Sequence, residues 1–200
     1  PDEVLHGWVL GLVVADLDGD LMPEVFAVND LGPDRLLHNR SKPGRLAFAI
    51  AEGEESASTP GSFSLGRDTY HGMGCDTADL NGDGAPDIFV SNITCRWAMQ
   101  ESQTLWMSRP GAGLSEGVAP YRLASERWGV ARTSWGWDAK FESFGNTVKP
   151  NLVQAVGFLK GDTNRWPELQ SLVASNTAFL RDGRNWPRFK PGADLAGDAL

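Results

Sequence analysis

One acidic segment occurs twice in this chain, and that internal repeat constrains the fold more than any other feature. Residues 15–26 (ADLDGDLMPEVF) align without a gap with residues 78–89 (ADLNGDGAPDIF). Corresponding positions, such as Asp16 and Asp79, lie 63 residues apart. A chain that repeats at such a distance is built from successive supersecondary units, and each unit needs a neighbour to bury its apolar face.

Short apolar segments follow each acidic copy. Residues 34–40 (DRLLHNR) correspond in pattern to residues 103–109 (QTLWMSR), and the shorter segments 46–50 and 121–124 come next. These segments are rich in Val, Ile, Phe and Trp, and Gly, Pro, Asn and Asp separate them, as is typical of antiparallel sheets. The 23 Gly and 12 Pro residues leave little uninterrupted length for long helices. Four short strands repeated about every 60 residues predict the blades of a β-propeller.

A third unit is expected after another such interval, where residues 143–153 read SFGNTVKPNLV. This loop keeps the shape of the others but carries uncharged residues at the acidic positions, namely Ser143, Gly145, Thr147 and Asn151. We therefore expect no calcium in the third loop. Residues 178–182 and 186–190 are predicted as the last two strands of this unit. An insertion at 165–175 predicts one short helix, because Pro167 near its start is followed by good helix formers.

The predicted fold is all-β, with about three β-propeller blades of four antiparallel strands and one short inserted helix. The blades are predicted at about residues 8–60, 70–125 and 133–190. Closed propellers have about 4 to 8 blades, so three blades do not close a ring. We expect the chain to be part of a larger propeller, or a partner to cover its open edges.

The second acidic loop has the spacing that a hard cation requires. Ca²⁺ takes six to eight oxygen ligands at about 2.3–2.6 Å, and a glycine at the sixth position allows the loop to turn around the ion. Gly84 stands at that sixth position. The predicted ligands, at positions one, three, five, seven (a carbonyl) and nine, are Asp79, Asn81, Asp83, Ala85 and Asp87.

The first acidic loop offers one more carboxylate but lacks the glycine. Its predicted ligands are Asp16, Asp18, Asp20, the carbonyl of Met22 and Glu24. Leu21 stands at the sixth position, where a left-handed backbone costs a leucine about 1 to 2 kcal/mol. We expect one to two structural Ca²⁺ ions in the two loops together.

Two other interpretations of these loops were weighed. An EF-hand loop opens in the same way but requires a bidentate Glu at position twelve, where this chain has Ala27 and Val90. Its flanks would also be helices, whereas LGLVVA and DIFVSN are strand-like. The simpler alternative is an acidic turn between two strands that holds no ion.

Charge and motif content argue against several functions. The formal net charge of −8 has the wrong sign for binding nucleic acid or anionic lipid, and no stretch approaches 18 consecutive apolar residues. The chain has no GxSxG motif, and its three histidines lie in separate contexts without metal-ligand spacing. Cys75 and Cys95 either form a disulfide or are two free thiols, and Cys75 is expected to be a small core residue rather than a nucleophile. We therefore predict no catalytic residues and no enzymatic activity.

The segment ADLNGDGAPDIFVSN, with Gly-Ala-Pro inside its acidic loop, resembles the FG-GAP or VCBS repeat of integrin-α-like β-propellers. The stretch SWGWDAKFESFGNTVKPNLV is similar to the ASPIC/UnbV group of such proteins, although that group normally keeps the carboxylates of its third loop. The resemblance covers about residues 8–190. It implies an extracytoplasmic (periplasmic, cell-surface or secreted) protein, a structural calcium ion, and a role in adhesion or complex assembly.

The first functional hypothesis is accordingly a calcium-binding propeller segment that binds a protein partner or assists assembly. Two alternatives remain open at this stage. One is a structural subunit of a larger membrane-associated complex, and the other is a propeller enzyme acting on polysaccharide. Such an enzyme would need a His, Tyr or Arg cluster at the mouth of the propeller, and the chain has only two tyrosines.

Overall fold

The computed structural model describes residues 7–94, 99–109, 114, 117–133, 135–144, 146 and 150–156, and the backbone of residues 177–181 and 189–194. Three four-stranded antiparallel sheets account for the strands of these residues, and strands that are adjacent in sequence are adjacent in each sheet. The prediction of an all-β fold built from four-stranded propeller blades is confirmed.

The strands of the first sheet are β1 (Trp8–Ala15), β2 (Glu24–Asp30), β3 (Arg35–Asn39) and β4 (Phe48–Ala51). The strands of the second sheet are β5 (Gly74–Ala78), β6 (Asp87–Ser91), β7 (Thr104–Ser108) and β8 (Tyr121–Leu123). The strands of the third sheet are β9 (Gly136–Glu142), β10 (Asn151–Val156), β11 (Thr177–Arg181) and β12 (Phe189–Asp194).

In the described part of the chain, two short helical segments accompany the sheets. A 3₁₀ turn (Gly61–Phe63) lies between the first two sheets, and the helix α1 (Ser125–Trp128) follows β8. The helix α1 ends at Gly129, whose φ of 72° is left-handed and suits a glycine. Sequence reasoning did not predict α1, because four residues carry no periodic signal. The helix predicted within 165–175 lies outside the described residues.

The second sheet is buried on both faces because its side chains alternate between two hydrophobic clusters. One cluster joins it to the first sheet, with Phe26, Val28, Leu36, Ile88, Val90 and Trp106 among its members. The other cluster joins it to the third sheet, with Phe89, Leu105, Met107, Trp128, Ala139 and Leu152 among its members. The core of the described residues therefore consists of two layers between three stacked sheets.

The first strands of the three sheets, β1, β5 and β9, lie close together. A Cβ added to Gly11 would be 3.2 Å from the Cα of Gly74, and a Cβ added to Gly74 would be 2.8 Å from the Cα of Asp138. Only a residue without a side chain fits at Gly74 in this arrangement. Direct hydrogen bonds also join the sheets, such as that from the Phe141 amide to Asp76 Oδ2 (2.7 Å).

The face of the first sheet that points away from the second sheet is apolar and exposed. Along β1 it presents Trp8, Leu10, Leu12 and Val14, each more than half exposed. Val13, on the opposite face of the strand, is buried against the second sheet. This outer face has the composition of the buried faces but has no sheet packed on it among the described residues.

Two further expectations concern the thiol and the membrane. Cys75 is a buried free thiol in the cluster between the first two sheets, which confirms it as a core residue, and burial raises its pKa to about 12. Its possible partner, Cys95, lies outside the described residues. Within the part of the chain that the structure describes, no helix has the length and apolar character that crossing a membrane requires.

Candidate metal centre

The two acidic loops occupy the same place in their sheets. The first connects β1 to β2, and the second connects β5 to β6. The last paired residues before each loop are equivalent: Ala15 pairs with Glu24 in the first sheet, and Ala78 pairs with Asp87 in the second. The internal repeat seen in the sequence is therefore a repeat of one hairpin.

Within the first loop, the carboxylates accept hydrogen bonds from the loop's own backbone. Asp16 Oδ1 accepts from the amide of Gly19 (2.8 Å), and its Oδ2 accepts from the amide of Leu21 (3.0 Å). Asp20 Oδ1 accepts from the amide of Met22 (2.7 Å). These bonds fold the loop around the carboxylates, as in an Asx-turn.

The second loop repeats this pattern nearly atom for atom. Asp79 Oδ1 accepts from the amides of Gly82 (2.7 Å) and Asp83 (3.1 Å), and its Oδ2 accepts from the amide of Gly84 (2.8 Å). Asp83 Oδ1 accepts from the amide of Ala85 (3.0 Å). The two loops thus have the same backbone path although their sequences differ at several positions.

The third position distinguishes the two loops. In the second loop, Asn81 Nδ2 donates to Asp83 Oδ2 at 2.6 Å, so an amide balances the neighbouring carboxylate. In the first loop the equivalent residue is Asp18, and Asp16, Asp18 and Asp20 each place a carboxylate oxygen within 4.8 Å of the others. The first loop therefore concentrates more negative charge than the second.

The sixth position is left-handed in both loops. Gly84 has a φ of 87°, and Leu21 has a φ of 70°. The backbone strain expected at Leu21 is therefore present, and its side chain, 89 % exposed, gains almost no packing in return.

Sequence reasoning missed the second role of the ninth position, which is to join the loop to the sheet. Glu24 is fully buried; its Oε2 accepts from the amide of Leu17 (2.9 Å) and its Oε1 from the amide of Asn39 on β3 (3.3 Å). Asp87 is also fully buried and accepts in the same way from the amides of Leu80 (3.0 Å) and Ser108 on β7 (2.9 Å). We call Glu24 and Asp87 the two clamp carboxylates.

Burial of the clamp carboxylates raises the pKa of both. The pKa of Asp87 is raised to about 6, first by desolvation and further by the charge of Asp83, against the lowering effect of its hydrogen bonds. The pKa of Glu24 is raised by the same desolvation and by the charges of Asp18 and Asp20. A nearby cation would favour the ionised form of each.

The carbonyls predicted at the seventh position differ in their surroundings. The Ala85 carbonyl accepts a hydrogen bond from Ser108 Oγ (3.2 Å), which ties the end of the second loop to β7. Met22 is half-buried, and its amide donates to Asp20.

Sequence reasoning also missed His38 on β3, whose Nε2 lies 3.7 Å from Asp18 Oδ2.

The third loop is described in part. The amide of Asn146 donates to the carbonyl of Ser143 (3.0 Å), and Asn146 has a left-handed φ of 50°. Asn151, which aligns with the clamp carboxylates, is the first residue of β10. Gly145 and Thr147, predicted at the other equivalent positions, lie outside the described residues.

A cleft of about 1440 Å³ lies beside the first two sheets, and no acidic-loop residue is among its described lining. Among the described residues, its lining includes the arginines Arg67, Arg109, Arg122, Arg127 and Arg132 and the glutamates Glu54, Glu55, Glu101 and Glu126. Arg67 and Arg132 have carboxylate neighbours, whereas Arg109, Arg122 and Arg127 form no ion pair with any residue in the described part of the chain. Both tyrosines, Tyr70 and Tyr121, also line this cleft.

Comparison with known families supports the repeat. Residues 16–90 match the sequence model of a family described as FG-GAP-like repeat. The matched segment begins at the first residue of the first acidic loop and ends in β6, so it contains both loops. No curated protein matches the chain. The matched repeat and the three four-stranded sheets together identify a β-propeller-like module.

Proposed function

We propose that the chain is a calcium-stabilised β-propeller segment of an extracytoplasmic protein, and that it acts by binding a protein partner or assisting complex assembly. Calcium fixes the geometry of the two acidic loops and performs no chemistry. The proposed calcium ligands are the residues of the two acidic loops that the sequence analysis names. We also propose that the third stretch belongs to the ASPIC/UnbV group that it resembles.

The arrangement of the first loop carries the calcium part of the proposal. Asp16, Asp18 and Asp20 bring carboxylate oxygens within 4.8 Å of one another at one end of a sheet. Oxygens about 2.3–2.6 Å from one Ca²⁺ ion are separated by distances of this size. Three such charges repel one another strongly in the absence of a cation, because water screens them only in part.

The exposed outer face of the first sheet supports a role in binding. Trp8, Leu10, Leu12 and Val14 form a continuous apolar row, which is typical of an interaction surface. The equivalent strand of the second sheet, β5, lies between its two neighbours and has no such exposed row. Another apolar sheet face would complement this surface, and either the same protein or a partner could contribute it.

Thermal unfolding with calcium and with a chelator tests the proposal. A ligand at 100 times its dissociation constant stabilises the folded state by about 2.7 kcal/mol, so calcium should raise the Tm measurably. Asp83→Ala and Asp20→Ala should each reduce that rise, because each removes one ligand from one loop. Glu54→Gln, which removes an exposed carboxylate outside both loops, is the matched control and should leave the rise unchanged.

The calcium part of the proposal is wrong if the chelator leaves the Tm of the unmodified protein unchanged. It is also wrong if Glu54→Gln reduces the calcium effect as much as Asp83→Ala does. Unspecific screening of the net negative charge would then explain the stabilisation.

The arginines of the cleft favour one second candidate function, action on an acidic polysaccharide, at a site beside β8 and α1 rather than beside the first strands β1, β5 and β9. Arg109, Arg122 and Arg127 present guanidinium groups that pair bidentately with carboxylates, in a protein of net charge −8. Incubation with uronate-containing polysaccharide, followed by measurement of new reducing ends, tests this candidate. Product formation that Arg122→Ala abolishes would favour the enzyme over the binding module.

A further inference from the structure

We propose that the first sheet holds a second cation position, formed by Asp18, Glu24 and His38, which takes a first-row divalent transition ion such as Zn²⁺ rather than Ca²⁺. Asp18 belongs to the first acidic loop, Glu24 to β2 and His38 to β3. The inference goes beyond the proposed function, and because Asp18 and Glu24 are also predicted calcium ligands, the two ions would compete for these carboxylates.

The distances within this group are those of ligands on one ion. One ligand atom from each of the three side chains lies within 4.8 Å of the other two. The separation of 3.7 Å between His38 Nε2 and Asp18 Oδ2 exceeds a hydrogen bond. Two ligands about 2.0–2.2 Å from a shared zinc ion are separated by about 3 to 4 Å, so the gap between these atoms has the size of a cation.

The burial of the group argues for an occupant. Glu24 is fully buried, and the side chains of Asp18 and His38 are 7 % and 14 % exposed. His38 Nδ1 is buried without a hydrogen-bond partner among the residues that the structure describes, and Nε2 lies 3.7 Å from Asp18 Oδ2. No hydrogen bond to a described residue orients the ring, and a cation bound to Nε2 would do so.

The other contacts of these carboxylates leave room for coordination. Asp18 Oδ2 accepts one long hydrogen bond from the amide of Leu114 (3.5 Å). Each oxygen of Glu24 accepts one backbone amide, from Leu17 and Asn39. A carboxylate oxygen has two lone-pair sites, so each still has one available for a metal ion.

The donor set selects the class of metal. Ca²⁺ is held by oxygen ligands, whereas an imidazole nitrogen favours zinc and other first-row transition ions. One histidine with two carboxylates provides three protein ligands, to which a water molecule adds the fourth. The predicted calcium ligands of the first loop are oxygens alone, so the two positions share Asp18 and Glu24 but differ in the ion that suits them.

The second sheet provides an internal control for this inference. In the aligned strands, Met107 occupies the place of His38, and Asn81 occupies the place of Asp18. Met107 is 2 % exposed and belongs to the hydrophobic cluster with the third sheet. The same structural place is therefore apolar in one sheet and able to bind a metal ion in the other.

Calorimetric titration of Zn²⁺ into the whole protein, in calcium-free buffer and again with saturating Ca²⁺, tests the proposal, and the calcium-free titration decides it because the two ions share ligands. We expect one site in the unmodified protein and at least about a tenfold loss of affinity in His38→Met, which introduces the residue of the second sheet. His71→Gln removes another described histidine, whose ring contacts Glu101, and should leave the affinity unchanged. If His38→Met fails to fold, His38→Gln serves in its place.

The possible outcomes separate this inference from the calcium proposal. Equal zinc affinity in the unmodified protein and His38→Met, or no zinc binding to the unmodified protein, would overturn it. Co²⁺ in place of Zn²⁺ should give visible absorption bands of a four-coordinate site, and the His38 variant should lose them. Calcium stabilisation that persists without zinc binding refutes this inference alone, and zinc binding without calcium stabilisation refutes only the calcium part of the proposed function.

Discussion

The first and second sheets are built from one repeated hairpin but differ in what surrounds them. Both have the same loop path, the same left-handed sixth residue and the same clamp carboxylate at the ninth position. The second sheet is covered on both faces, whereas the first has Trp8 and its apolar neighbours on an exposed face. The repeat therefore determines local structure, while position in the stack determines how much each side chain contributes to stability.

The largest expected effect compares one tryptophan from each sheet. Trp106 is fully buried between the first two sheets, whereas Trp8 is 71 % exposed on β1. Trp106→Ala should lower the free energy of unfolding by about 3–5 kcal/mol, because it removes a large core side chain. Trp8→Ala should change it by no more than about 0.5 kcal/mol. Urea unfolding of the two variants measures both values.

A large loss of stability in Trp8→Ala would break this comparison. It would mean that the outer face of β1 is already covered in the isolated protein, for example by a second copy. Unfolding of the unmodified protein and of Trp8→Ala over a range of protein concentrations tests whether a second copy covers the face, since association makes the apparent stability concentration-dependent.

The second prediction separates the clamp from the loop. In chelator, Asp87→Ala should lower the free energy of unfolding by about 2–4 kcal/mol, because it leaves the buried amides of Leu80 and Ser108 without an acceptor. Asp83→Ala should cost much less in chelator, since Asp83 is exposed. Chemical unfolding in chelator and in calcium measures the free energy of unfolding of each variant under both conditions.

If Asp87→Ala has its full effect only when calcium is present, the clamp interpretation is wrong and Asp87 acts chiefly as a ligand. Glu24→Ala provides the same test in the first sheet. We expect a similar loss there, because Glu24 accepts two backbone amides with comparable geometry.

The hairpins and loops could be predicted from the sequence because their determinants are local. Alternating carboxylates, a left-handed sixth residue and flanking apolar segments all lie within about a dozen residues, so the spacing alone encodes them. The four-stranded sheets followed from the repeat length. The short helix α1 and the exposure of the β1 face could not be predicted, because each depends on how the sheets stack.

The clamp and His38 were missed for a related reason. Glu24 meets the amide of Asn39 only because β2 and β3 pair in one register, in which Val25 lies opposite Leu37. The same register brings His38 to Asp18, although the two residues are 20 positions apart in sequence. Without that register, the sequence gives His38 no metal-ligand spacing and leaves it as an isolated histidine.

The third prediction concerns a buried position that holds an ionisable carboxyl group in the first sheet and a neutral amide in the second. Asp34 Oδ1 accepts from the amide of Asn29 (3.0 Å), and in the second sheet Gln103 Oε1 accepts from the amide of Asn92 (2.6 Å). Burial and the neighbouring Asp68 raise the pKa of Asp34 well above its usual value. The pKa of Asp68 is raised to about 6, first by desolvation.

Because these pKa values are raised on folding, the folded state binds more protons than the unfolded state above about pH 4. Stability should therefore fall as the pH rises from about 4 towards 7, by up to about 3 kcal/mol for a shift of the size seen at Asp68. Asp34→Asn keeps an acceptor for Asn29 and should flatten this decline. Unfolding free energies across the pH range measure the difference, and an equally steep profile in Asp34→Asn would show that the pair is not its source.

The smallest expected effect is an exchange at the sixth loop position. Gly84 and Leu21 both have left-handed backbones. A Cβ at Gly84 would meet no atom within 4 Å, and Leu21 is exposed. The exchange therefore tests backbone conformation alone. Gly84→Leu should lower the free energy of unfolding by about 0.5–1 kcal/mol in chelator, because about 1–2 kcal/mol of left-handed strain is offset in part by the lower freedom of leucine in the unfolded chain, about 0.5–1 kcal/mol. Leu21→Gly reverses both terms and should raise the free energy of unfolding by a similar amount. A loss in Leu21→Gly would mean that the leucine makes a contact in solution that offsets its strain.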